Sequence, residues 1–225
     1  MKNLLGIFFV LAVALILVGC KSASPVRISV LGDSYSTYKG WIPEENWYYY
    51  PQPPEKNDVS KAEECWWYLV AQDLGGVIDS NESWSGSTVC YRGYNGVDAR
   101  ERSFVNRVPR MGNPDIILIC GATNDSWSGA SVGEYKWSDW TDDELFTFRP
   151  AMAKMLADIQ TIYPKAAVYF ILNSELRPEI NDSVHTICEY YHVPCIDLHD
   201  IEKQNGHPSI KGMRAFADQV IQGLR

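Results

Sequence analysis

The stretch Val26-Arg27-Ile28-Ser29-Val30-Leu31-Gly32-Asp33-Ser34-Tyr35-Ser36 decides how this chain is read. A short, β-branched, apolar run that stops abruptly at Gly-Asp-Ser predicts a strand running into a turn. In an open α/β sheet, ligands and chemistry gather at the carboxyl ends of the strands. A serine at that end faces the crevice instead of packing inside a layer. Taken alone, Gly32-Asp33-Ser34 is equally an ordinary strand-to-loop turn.

Outward from this strand, four more apolar runs stand out, at residues 76–78, 115–120, 167–172 and 193–198. Segments with helical period lie between them. Ser60-Lys61-Ala62-Glu63 and Thr141-Asp142-Asp143-Glu144 each read as a capping box that opens a helix. Pro150 falls inside the second of these helical segments and predicts a break or kink there. A further amphipathic stretch covers 180–191, and a last helix is expected from Ser209 to the C-terminus. Strands alternating with helices predict one α/β domain, a mostly parallel five-stranded sheet with helices on both faces in three α/β/α layers.

The chain has 225 residues, enough for one domain with a sizeable core. A formal net charge of −8 argues against a nucleic-acid backbone as partner, which would want clustered Lys and Arg. Lys2 followed by the apolar run 4–18 predicts an export signal rather than a membrane span. Leu17-Val18-Gly19-Cys20 has the form of a bacterial lipoprotein box. The expected organisation is a signal peptide over 1–19, a lipidated Cys20 with a short leash to residue 25, and a domain over 26–225. Acyl chains on Cys20 would hold a soluble domain at a membrane without a spanning helix.

Export admits disulfides, but Cys65, Cys90, Cys120, Cys188 and Cys195 are odd in number, so one thiol at least has no partner within the chain. Cys188 and Cys195 are spaced to pair across a helix-to-strand connection, although sequence does not establish the geometry. No Cys/His spacing matches a zinc site, and neither metal nor cofactor is expected.

Three motifs follow Ser34 in order: Gly86 in Ser-Gly-Ser-Thr, Asn124 in Gly-Ala-Thr-Asn-Asp, and His207 in Gly-His-Pro-Ser. The ordered set Ser34, Gly86, Asn124, His207 resembles the SGNH (GDSL-type) hydrolase family over nearly all of residues 26–225. The resemblance implies a flavodoxin-like fold and a serine nucleophile at Ser34. It also implies that His207 is the general base, with an oxyanion hole built from the Ser34 and Gly86 N–H groups and the Asn124 amide. Serine needs such a base to lose its proton. Of the other histidines, His185 falls within a helical stretch, His192 precedes a strand, and His199 is the one rival.

The sequence departs from the family where an aspartate usually stands three residues before the histidine. Gln204 occupies that position, and Ala122 replaces a glycine common before Thr-Asn-Asp. A glutamine oxygen can fix the imidazole tautomer but brings no charge to stabilise imidazolium. The expectation is a Ser–His dyad with Gln204 as a neutral orienter. The alternatives are a displaced acid, Asp200 or Glu202, and an inactive relative that only binds.

Two aromatic insertions follow the motifs. Residues 38–54 contain Trp41 and Trp47, and residues 125–140 contain Trp127 and Trp137. Flat rings at strand ends suit a substrate cleft, though they also suit packing on one another to order long loops. The functional expectation is an exported serine esterase acting on a carbohydrate O-acyl ester through an acyl-serine. Lipase, lysophospholipase and thioesterase chemistry on the same site are the alternatives, together with a non-catalytic glycan-binding lipoprotein.

Overall fold

A computed structural model describes residues 24–225; the expected signal peptide and Cys20 lie outside the described residues. Five strands form one parallel sheet: β1 (Arg27–Gly32), β2 (Val77–Asn81), β3 (Ile116–Gly121), β4 (Ala167–Leu172) and β5 (Cys195–Asp197). Their spatial order is β2-β1-β3-β4-β5, and every neighbouring pair is parallel. This is the flavodoxin-like order, whose direction of travel reverses between β1 and β3. Loops leaving β1 and β3 therefore part to opposite faces and open a crevice at their carboxyl ends.

Central strands buried on both faces read as continuous apolar runs, because successive side chains point to opposite layers. In β1, Ile28 and Val30 enter one core with α1 (Trp66–Asp73) and α6 (Ile210–Gly223). Leu31 enters the other, with α2 (Phe104–Arg107), α4 (Phe148–Ile162) and α5 (Pro178–Tyr190). The first core is locked where Trp66 of α1 stacks flat on Phe216 of α6, centroids 4.5 Å apart. Among the described residues, no helix is long and apolar enough to cross a membrane.

Both expected capping boxes exist but act differently from a simple helix start. Glu64, not Glu63, reaches back to the Ser60 and Lys61 N–H groups at 2.7 and 3.1 Å, and α1 begins only at Trp66. Glu144 accepts from Thr141 N–H at 2.7 Å but opens a single 3₁₀ turn, Glu144–Phe146. Helix α4 then starts at Phe148, which puts Pro150 in its first turn. An N–H there has no intrahelical partner to lose, so the expected kink becomes a helix start.

Candidate active site

Ser34 follows β1 directly and opens a 3₁₀ turn, Ser34–Ser36, whose cap is the Asp33 carboxylate accepting from Tyr35 N–H at 3.0 Å. Gly32 makes this turn possible. A Cβ there would lie 2.5 Å from Ser83 Oγ and 2.6 Å from Ser36.

His207 arrives from the other end of the chain on a two-stranded hairpin, β6 (Lys203–Gln204) and β7 (His207–Pro208). Its turn residues, Asn205 and Gly206, have φ of 48° and 76°. Asn-Gly favours such a tight hairpin because both central residues need positive φ. The turn folds the Asn205 carbonyl back to accept from His207 Nδ1–H at 3.1 Å, which leaves the Nε2 lone pair 2.9 Å from Ser34 Oγ. Tyr49 stacks on the imidazole, centroids 3.5 Å apart and planes 6° from parallel. Tyr35 Oη donates to the Gly206 carbonyl at 2.7 Å and fixes the turn.

Burial under these rings drives the His207 pKa down from 6.5 to about 4, opposed by the Asn205 carbonyl and aided by the nearby charge of Lys203.

Gln204 does not orient the imidazole, which corrects the expectation from its spacing. Gln204 pairs with His207 across the hairpin, and its Oε1 instead accepts from Asp58 N–H at 2.9 Å. Neither proposed substitute acid reaches His207. Asp200 is exposed and pairs with His199 Nδ1 at 3.1 Å, while Glu202 accepts from Ser209 Oγ at 2.7 Å and from Lys211 Nζ at 3.1 Å. The hydrogen-bond partner of His207 Nδ1 is thus the main-chain carbonyl of Asn205 and not a side chain. His199, paired with Asp200, and His185, paired with Asp197 at 3.1 Å, are both engaged away from Ser34.

Ser34, Gly86 and Asn124 follow β1, β2 and β3, three adjacent strands, so all three emerge at one end of the sheet. Gly86 has φ of 75°, a conformation that a side chain would strain. Neither the Ser34 nor the Gly86 N–H makes a hydrogen bond among the described residues. The Asn124 side chain is aimed by two contacts. Its Nδ2 donates to the Ser87 carbonyl at 2.9 Å and its Oδ1 accepts from Tyr94 Oη at 2.8 Å. The second Nδ2 hydrogen stays available. Ala122, with φ of 71°, takes the left-handed turn before α3 (Thr123–Trp127) where a glycine is more usual.

Several contributors were not singled out from sequence. Arg107 is fully buried beneath the site. Its guanidinium donates to the carbonyls of Gly32 and Arg102 at 3.2 and 3.0 Å, to the Glu82 carbonyl, and to Ser87 Oγ at 2.9 Å. One side chain thus ties the ends of β1 and β2 to the Gly86 loop. Burial lowers its pKa to about 9, and burial raises that of nearby Asp33 to about 7. A charged residue inside the apolar run Phe104-Val105-Asn106-Arg107-Val108 is the signal that could have marked it. The Asn205-Gly206 pair likewise announces the hairpin that sets the histidine tautomer. Tyr49 was marked only as one ring of the aromatic insertion 38–54, and Tyr94 carried no mark at all.

The four candidate cleft tryptophans divide. Trp127 sits edge-on to Tyr35, centroids 6.4 Å apart, and Trp47 sits edge-on to Trp84 at 6.4 Å, beside the Gly86 loop. Trp41 packs on Trp67 and Tyr68 of α1 and lines a cavity with Val77 and Ile78, where β2 begins rather than ends. Trp137 stacks on Tyr190 at 4.0 Å, where α5 ends and the chain enters β5. Trp137 is therefore corrected from cleft to packing residue, whereas Trp41, 41% exposed, borders surface cavities along the edge strand from Val77 to Glu82. All five described cysteines are free, including Cys188 and Cys195. His185, Cys195 and Asp197 place potential metal ligands within 4.8 Å of one another at the β5 edge, a proximity that their sequence spacing does not reveal.

Comparison with known proteins agrees with the fold. A family model described as GDSL-like lipase/acylhydrolase matches residues 26–224. A GDSL-like lipase of Bacteroides ovatus ATCC 8483 is 44% identical with a TM-score of 0.87, over 90% of this chain and 99% of that one. A GDSL-like lipase of Bacteroides uniformis ATCC 8492 is 47% identical with a TM-score of 0.86, over 88% and 94%. A family two carbohydrate esterase from Clostridium thermocellum, solved in complex with cellohexaose, shares the fold at 16% identity and a TM-score of 0.60, over 89% and 64%. No curated protein matches the chain. With the match spanning the whole described sheet and its crevice, the chain belongs to the GDSL-like lipase/acylhydrolase family, and that membership supports an ester-hydrolysing enzyme.

Proposed function

We propose that this protein is a serine esterase that removes an O-acetyl group from a carbohydrate, with Ser34 and His207 acting as a dyad. The observation that carries the reading is the 2.9 Å contact from His207 Nε2 to Ser34 Oγ, made while the Asn205 carbonyl holds the proton on Nδ1. In this tautomer Nε2 accepts the Ser34 proton as Oγ attacks the acyl carbon. The Ser34 and Gly86 N–H groups and the Asn124 amide meet the developing oxyanion. His207 then returns the proton to the departing sugar oxygen, leaving an acetyl-serine, and water repeats the sequence to release acetate. The carbonyl of Asn205 orients the ring without a full negative charge, so imidazolium gains less stabilisation than beside an aspartate. The fold shared with a carbohydrate esterase bound to cellohexaose supports a sugar ester as substrate.

Turnover of 4-nitrophenyl acetate, abolished in Ser34→Ala and His207→Ala, tests the dyad. Acetate release from acetylated polysaccharides, set against esters of increasing chain length, tests the substrate class. Preference for long acyl chains would assign lipase chemistry instead, and binding of glycans without turnover would assign a binding-only relative. The reading includes export and anchoring through Cys20, after the lipoprotein box in the sequence. Cys20→Ser should then move the protein out of the membrane fraction with its esterase activity intact.

A further inference from the structure

A groove of about 360 Å³ lies beside the Gly86 loop, lined by Trp47, Trp84 and the segment Val97-Asp98-Ala99-Arg100-Glu101-Arg102. That volume is within the range of small-molecule sites. Three separate segments build it, and each also contributes to the site around Ser34. Trp47 lies two residues before Tyr49, which stacks on His207. Trp84 lies two residues before Gly86, and Ser85 between them donates to the Trp47 carbonyl at 2.8 Å. Val97 lies three residues after Tyr94, which bonds Asn124. Two residues of chain span at most about 7 Å, so the backbone of Trp84 lies within about 7 Å of Gly86 and that of Trp47 within about 7 Å of Tyr49.

The groove's chemistry is that of a sugar site. Trp47 is 60% exposed, with the Arg102 guanidinium 5.1 Å over its ring and Trp84 against it edge-on. The aromatic surface left open suits the apolar face of a pyranose. The rim carries both signs. Arg100 is paired with Asp98 at 2.9 Å and with Asp142 at 3.2 Å, whereas Arg102 enters no ion pair among the described residues. Mixed donors and acceptors without a dominant charge match the hydroxyls of a neutral sugar.

Resting on the reading of the site as a carbohydrate esterase, we propose that this groove binds a neutral pyranose adjoining the acylated one, so that the substrate is an oligo- or polysaccharide ester rather than an acylated monosaccharide.

The test compares kcat/KM for acetylated oligosaccharides with that for 4-nitrophenyl acetate, a substrate too small to occupy both places. Acetylated glucose, xylose and mannose oligomers, with their monosaccharide counterparts, are screened on the wild type, and the fastest oligomer becomes the probe. We expect that oligomer to exceed its monosaccharide at least tenfold. Trp47→Ala should lower the ratio of oligomer to 4-nitrophenyl acetate turnover at least tenfold, mainly through KM, and Trp47→Phe should recover most of it. Equal losses on both substrates, an unmoved ratio, or equal turnover of monosaccharide and oligomer would overturn the groove assignment and leave the carbohydrate esterase reading standing. If the wild type turns over 4-nitrophenyl acetate but no sugar ester, the carbohydrate reading itself fails and the groove assignment falls with it.

Discussion

In two aromatic insertions of similar composition, Tyr49 and Trp137 have opposite destinies. Residues 38–54 deliver Tyr49 to the face of His207 and Trp47 to the groove beside Gly86. Residues 125–140 begin at the same crevice, yet their tryptophan Trp137 ends in a stack with Tyr135 and Tyr190. The difference lies in the main-chain anchors. The first loop is tied to the site itself, with Tyr49 N–H donating to Thr37 Oγ1 at 2.8 Å and Tyr50 Oη to the Pro208 carbonyl at 2.9 Å. The second is drawn along the flanking helices, with Arg149 donating to the Gly133 carbonyl at 2.9 Å and Arg177 to the Ala130 carbonyl at 2.6 Å. Rings supply contact area wherever they land, and backbone hydrogen bonds choose the place.

The largest expected effect lies at the root of the second insertion. Asn124→Ala should lower kcat by on the order of 10²–10³ with a smaller change in KM, because its amide meets charge that develops only in the transition state. If KM rises while kcat is kept, Asn124 serves ground-state binding, and the chemistry belongs to the first insertion's side of the crevice alone.

Tyr49→Ala comes next. Loss of the stacked ring frees the imidazole to leave its near-attack geometry, and a fall in kcat of up to about 10²-fold is expected. The variant also carries a pH signature. In the proposed dyad the neutral imidazole is the base, and burial holds its pKa near 4 against an ordinary 6.5. Water admitted to the ring relieves that desolvation, so the acidic limb of kcat/KM should move up in pH. Tyr49→Phe keeps the ring and should leave both the rate and the limb in place. An unmoved limb in Tyr49→Ala would show that Tyr49, like Trp137, only packs.

Trp137→Ala should act in the opposite sense, lowering stability by about 1–3 kcal/mol in a urea titration while 4-nitrophenyl acetate turnover is unchanged. A selective loss of activity would erase the contrast between the loops.

The smallest effect is expected at Gln204. Gln204→Ala removes one hydrogen bond to Asp58 N–H and should destabilise by about 1 kcal/mol, leaving the pH profile alone. Gln204→Asp should not move the acidic limb either, since the side chain at 204 is turned to the Asp58 N–H in a separate loop and not to the imidazole. A limb shifted to higher pH would mean that a carboxylate at 204 reaches His207 after all.

What the sequence determined by itself was local and periodic. The apolar runs located all five sheet strands, and their alternation with helices implied a parallel sheet, because parallel neighbours require crossovers. Ser34, Gly86 and Asn124 were proposed through the family resemblance, and the structure places each within a few residues of the end of its strand. Gly-His-Pro marked His207. What the sequence could not supply was anything requiring two distant segments to be compared. Spacing proposed Gln204 for His207, but a hairpin pairs those residues side by side and sends their side chains to separate partners, leaving a carbonyl with no side-chain identity to do the orienting. Arg107 acquires its role only when the ends of β1 and β2 meet above it. The aromatic loops were visible as composition, yet the fate of each ring depended on anchors as far off as Pro208 and Arg177. Periodicity encodes which face a residue presents. Which residues meet is decided by the loop closures that the tertiary structure makes favourable together.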